Sequence, residues 1–213
     1  GHIETSFHIM LVLFLFILFR LFQQRHSFSN SFSVDKNKKQ FKLLMVIFLS
    51  IILGTILAAV QIVPFLEYLK LSWSLAGRIN LKSNPYFLPG RTAISLLVPK
   101  FYGNPVMNNF WGTGNNVNFS EITGYVGILS LFFAFLAITF KRKSKEVVFF
   151  SFLTAFSLAM IYRAPLFYDI ITYLPGFKVS SNSRFLLMYT FSVAILSGMG
   201  MDAIFAKKEK KEF

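Results

Sequence analysis

Five long apolar runs, set apart by polar and mostly basic segments, limit what this chain can fold into more than any other feature. Inside hydrocarbon every backbone N–H and C=O must be satisfied within its own segment. Apolar runs approaching about 20 residues therefore read as membrane-spanning helices. They fall at about 5–22, 41–65, 122–140, 147–162 and 185–206 of the 213 residues. The expected fold is all-α: a polytopic helical membrane bundle of about five transmembrane helices, forming one transmembrane domain over 1–213. Composition agrees, because 54 % hydrophobic residues and 28 Phe belong to the membrane class. The chain has no cysteine, which excludes a disulfide framework, a thiolate nucleophile and a Cys-based metal site.

Two longer polar segments, 66–121 and 163–184, interrupt the apolar pattern. The second holds Pro165 near its start and Pro175-Gly176 near its end, which predicts a short helix of about two turns between them. Its aromatic residues place that helix in the membrane interface. In the spans, Arg20 can snorkel, and Gly54, Ala58 and Ala59 would let a neighbouring helix approach.

The net charge of +13 raises the prospect of nucleic acid, but its distribution speaks for membrane orientation and against a nucleic-acid partner. Loops 23–40, 141–145 and 207–211, with flanking Arg20 and Lys42, hold 14 of the 22 basic residues; the other 8 are spread over the two longer segments. Alternate loops are basic, and the positive-inside rule assigns those loops to the cytoplasm. Residues 66–121 and 163–184 then face outward from a bacterial plasma membrane, as a long outer loop and a shorter one. The chain starts at Gly1-His2 without Met and shows no signal-peptide pattern, so it reads as an internal piece of a longer polytopic protein.

Four of the nine acidic residues, Glu4, Glu67, Glu121 and Asp169, fall at or near outer span ends. A carboxylate there stays ionised cheaply and can act as a base, a partner for a cation, or a ligand for a divalent cation. Each also reads as an ordinary interfacial charge. His2 with Glu4 is a poor metal pair, since residues two apart do not share a helix face. Arg184 opens the fifth run after Ser180-Ser181-Asn182-Ser183, where its guanidinium can bind a phosphate bidentately or snorkel at the boundary. Lys100 could act similarly as a point charge, while Tyr102, Phe110 and Trp111 suit either stacking on a sugar or an aromatic belt. Tyr125 lies beside Glu121 at the same level. The sequence carries no phosphate-cradling glycine loop, nucleophile elbow or dinucleotide fingerprint, and it names no certain cofactor.

Gly1-His2-Ile3-Glu4-Thr5-Ser6-Phe7 opening a span, Gln61 to Tyr68 closing the next, and Pro99-Lys100-Phe101-Tyr102-Gly103 form one ordered series. Glu121 with Gly124-Tyr125-Val126-Gly127, Arg184-Phe185, and Gly198-Met199-Gly200-Met201-Asp202 complete it. This series resembles the bacterial YfhO-type membrane proteins, which belong with the GT-C class of polytopic glycosyltransferases. The resemblance implies an enzyme that takes a sugar from a polyprenyl-phosphate carrier and passes it, on the outer face, to a cell-envelope polymer such as teichoic or lipoteichoic acid. It places the catalytic acid in a first outer loop upstream of Gly1. The substrate contacts expected within this chain are His2, Glu4, Glu67, Lys100, Tyr102, Glu121, Tyr125 and Arg184. A transporter or flippase for lipid-linked sugars would instead need ionisable or broken-helix positions at mid-membrane, and the spans hold almost none. A non-catalytic envelope-assembly protein is the third reading.

Overall fold

The computed structural model describes residues 3–27, 34–72, 77, 87–112, 118–174 and 176–209. All regular structure among them is helical. Among the described residues, three stretches are long and apolar enough to cross a membrane: Glu4–Gln23, Leu44–Leu71 and Asn182–Phe205, of 20, 28 and 24 residues. The chain divides into two compact units, residues 1–19 with 83–213, and residues 20–82. Helix α1, Ile3–Ser27, begins in the first unit and ends in the second.

The second unit is dominated by α2, Val34–Leu71. Its apolar stretch buries nothing, as expected of a helix that is hydrophobic all round and faces lipid or other spans. Ser50 and Thr55 return their hydroxyls to the carbonyls of Val46 and Ile51, both at 2.8 Å, so neither presents an unmet donor. The helix continues past Pro64 to Leu71. A loop was expected from residue 66, but Glu67 and Tyr68 are helical and exposed. One proline does not end a helix whose flanking residues are apolar and whose backbone has no water to turn to.

In the first unit three helices pack together: α4, Ile128–Phe140; α5, Lys145–Ile161; and α7, Leu186–Glu209. A tight turn joins α4 to α5, and Ser144 caps α5 by accepting from the Val147 N–H at 3.5 Å. Gly200 lets α7 press its backbone onto α4: a Cβ there would overlap the Phe133 carbonyl and lie 3.1 Å from the Ala137 nitrogen. Thr154 on α5 donates to Ser192 on α7 at 2.9 Å, and Ser192 donates on to the Met188 carbonyl at 2.8 Å. Lys141 and Asp202 pair at the far end of α4 and α7.

One expected span is shorter than its apolar run. The run from 122 becomes a four-residue helix α3, Phe119–Ile122, an extended stretch, and then α4 of 13 residues. Gly127 causes the delay: its φ of 93° is reached easily only without a side chain, and it sits at the α4 N-cap. At about 1.5 Å per residue α4 rises about 20 Å and α5 about 25 Å, against a hydrocarbon core of about 30 Å. The short helix expected between Pro165 and Gly176 is present as α6, Phe167–Thr172, six residues long.

Residues 87–112, in the polar segment before α3, are folded rather than slack. Two 3-10 turns, Gly90–Leu96 and Pro105–Met107, are held by local bonds. Leu88 N–H donates to the Ile161 carbonyl at 2.7 Å, which ties the segment to the end of α5.

Candidate functional site

A buried polar chain ties α1, α6 and the entry to α7 together. His8, Ser180 and Asn182 are all at most 3 % exposed. Asn182 accepts from the Ser180 hydroxyl at 2.9 Å and donates from Nδ2 to the Tyr168 hydroxyl and the Phe177 carbonyl, each at 3.2 Å. Ser180 Oγ also lies 3.5 Å from His8 Nε2. Burial pushes the Tyr168 phenol above its ordinary value, so it stays protonated and keeps its hydroxyl proton. Beside it Arg163 sits 5.0 Å over the Phe87 ring and 5.9 Å from that of Tyr168, and pairs with Asp169 at 3.4 Å.

Next to this chain α1 meets the start of α7 through charge. Arg184 Nε and Glu4 Oε2 are 2.9 Å apart, with only 28 % and 18 % of the two side chains exposed. Nε is sealed from solvent and its N–H aligns on no acceptor. We count the contact as an ion pair, because two opposite charges this close and this shielded attract whatever the N–H angle. The pair borders an open pocket of about 450 Å³ whose lining includes Thr5, Ser120, Glu121, Ser183, Arg184 and Leu187. Three segments far apart in sequence thus supply one arginine, one further carboxylate and several hydroxyls to a single cavity.

Of the residues expected to bind substrate, Arg184 and Glu121 line this pocket and Glu4 holds Arg184 at its edge. Asp169, a further acid at an outer span end, pairs with Arg163. Tyr102 is buried at 4 % exposure and spends its hydroxyl on the Arg91 carbonyl at 2.9 Å, beside the exposed Trp111 ring. Lys100 is exposed on the same segment, outside the pocket. Tyr125 accepts from the Ile128 N–H at 3.3 Å at the start of α4. Glu67 belongs to the second unit. His2 lies outside the described residues.

Sequence reasoning passed over His8, Asn182 and Tyr168. The signal for His8 was present: Glu4 and His8 are four apart, one above the other on one helix face, whereas His2 and Glu4 are not. Among the described residues, no three His, Asp or Glu side chains converge where they could hold a metal ion. No family model, curated protein or solved structure matches this chain.

Proposed function

We propose that this chain is the membrane part of a glycosyltransferase of the GT-C kind, resembling the YfhO-type proteins. It takes a sugar from a polyprenyl-phosphate carrier and passes it to an envelope polymer such as teichoic acid at the outer face of a bacterial plasma membrane. One observation carries the reading: Arg184, partly desolvated and steadied by Glu4, faces a cavity that also holds Glu121 and several hydroxyls. A guanidinium in such a place binds a phosphate ester, and the carboxylate and hydroxyls suit a sugar beyond it. The same assignment has five spans, with α4 and α5 the third and fourth.

Activity of Arg184 variants tests the site. At matched protein levels Arg184→Ala should lower sugar transfer by about 2–3 kcal/mol, roughly 30- to 150-fold, and Arg184→Lys should recover only part, since lysine loses the fork. Were Arg184 only a strut for α1, Glu4→Gln would copy the whole defect and protein levels would fall with it. Full transfer by Arg184→Ala removes this residue from the reaction.

Topology is tested separately, with single cysteines in a chain that has none of its own. In intact cells an impermeant thiol reagent should label Asn109→Cys and Lys178→Cys, both at exposed positions, and spare Lys143→Cys until the membrane is opened. The reverse pattern would invert the orientation and move the pocket to the cytoplasmic side.

A further inference from the structure

Residues 87–112 lie across the ends of α5 and α7. Leu88 is fastened to the Ile161 carbonyl at the close of α5. Leu96 reaches the start of α7: a Cβ on Gly124 would overlap Leu186, the first residue of α7, and lie 2.8 Å from Leu96. The segment therefore sits at the level where the apolar stretch of α7 begins. From Leu97 onward its apolar side chains turn outward. Leu97, Val98, Phe101, Val106, Met107 and Trp111 are all exposed, Val106 to 85 % and Met107 to 69 %.

These side chains belong to a closed loop. The Trp111 N–H donates to the Tyr102 carbonyl at 3.2 Å, which joins the two ends. The Asn104 N–H donates to Asn109 Oδ1 at 2.8 Å, and Asn104 Oδ1 accepts from the Val106 N–H at 2.9 Å. Gly103, at φ 80°, lets the two arms close, because a Cβ there would overlap the Asn109 carbonyl. Trp111 leans on the buried Tyr102 ring, with 4.7 Å between centroids. A loop ordered this way by its own bonds loses little further entropy when its apolar tip meets a partner.

We infer that the loop is a preformed wedge for an anionic lipid leaflet. Val106 and Met107 dip among the upper acyl carbons, and Phe101 and Trp111 lie at headgroup depth, where amphipathic rings are favoured. Level and charge together select lipid. Residues 87–112 contain no Asp or Glu, and the exposed Arg91 and Lys100 suit anionic headgroups while their apolar stems stay in the interface. A glycan platform would need free polar groups beside the rings. Here the tip is aliphatic, and the amide oxygens of Asn104 and Asn109 are spent on the loop's own backbone. Only the spanning of α7 is required, not any transferase chemistry.

Trp111 reports on this directly. The chain has two tryptophans, so Trp73→Phe leaves Trp111 as its only one. With the full chain in nanodiscs of phosphatidylcholine and phosphatidylglycerol, lipid brominated near the headgroup should quench Trp111 roughly twofold or more, as befits a ring in the interface. Val106 and Met107 bond within the loop through backbone alone, so replacing both by Asp keeps the fold. That variant should lose the bromolipid quenching and gain quenching by iodide in water. A nitroxide at Met107→Cys, in a chain with no other cysteine, should meet oxygen more often than a water-soluble nickel chelate, and one at Lys178→Cys should show the reverse. Arg184→Ala should change none of these readings, whatever it does to sugar transfer. Quenching of Trp111 by iodide alone would overturn the wedge by standing the loop in water. Protection from both quenchers would mark a protein partner, and an emission shift with soluble cell-wall oligosaccharides but no bromolipid quenching would mark a glycan; either overturns it too. Equal quenching in pure phosphatidylcholine would overturn the choice of an anionic leaflet.

Discussion

Gly200→Leu should unfold the helical core of the first unit, and even Gly200→Ala should loosen it measurably. A Cβ at 200 overlaps the Phe133 carbonyl, which is backbone and cannot rotate away, so α7 and α4 must separate. Separation strips contacts from Ala134 and Ala137, which are 6 % and 0 % exposed, and disturbs the Lys141–Asp202 pair beyond them. Overpacking normally costs about 1–3 kcal/mol; a clash with main chain stands above that range, at about 4 kcal/mol or more for leucine. Gly198 supplies the control. Nothing lies within 4 Å of a Cβ there, so Gly198→Ala should be neutral or gain up to about 1 kcal/mol of helix propensity. Unfolding in a detergent titration separates the two: matched midpoints for both alanine variants would mean that α7 does not rest its backbone on α4.

The second large effect is expected at Asn182. Its amide makes three bonds at zero exposure, two as donor and one as acceptor. Asn182→Asp preserves shape but replaces the donating nitrogen with an acceptor facing the Phe177 carbonyl and the Tyr168 hydroxyl. The new oxygen then meets the Phe177 carbonyl with no proton between them, and a charge stands in a site sealed from water, at a cost of about 3–5 kcal/mol. Asn182→Ala leaves the same partners unmet without adding charge and should cost about 2–3 kcal/mol. The order Asp worse than Ala is the informative part. If the aspartate variant is the more stable by thermal unfolding in detergent, Asn182 is not the donor to Tyr168 and the Ser180–Tyr168 linkage fails with it.

What could be read before the fold was known follows a physical division. Arg184, Glu4 and Glu121 stood out because a charge at the end of an apolar run is conspicuous one residue at a time. Pairing was not so visible: Arg184 had two acids within plausible reach, and only the packing of α1 against the entry to α7 assigns it Glu4 and leaves Asp169 to Arg163. Helix ends were misjudged where one residue overrode a hydropathy pattern. Gly127 stops α4 short of its apolar run, while Pro64 fails to stop α2. The polar chain through His8 and Asn182 stayed hidden for a different reason. Neither residue belongs to a motif, and what unites them is a set of contacts across up to 172 positions of sequence.

The brevity of α4 and α5 bears on how a membrane would settle around the first unit. With both helices in the bilayer, as proposed, rises of about 20 and 25 Å face a hydrocarbon core of about 30 Å, and the shortfall is a hydrophobic mismatch. Lipid beside a short helix thins to meet it, at a fraction of a kcal/mol per Å, while the lysines and arginine at 141–145 reach out to the opposite headgroups. Thinning on the α4 side draws the headgroup plane down toward Ile128, just beyond the chain that carries Glu121 into the pocket. A lipid-borne head would then meet Arg184 without being lifted out of its leaflet, and a thicker, sterol-like bilayer should slow every step that begins with its arrival.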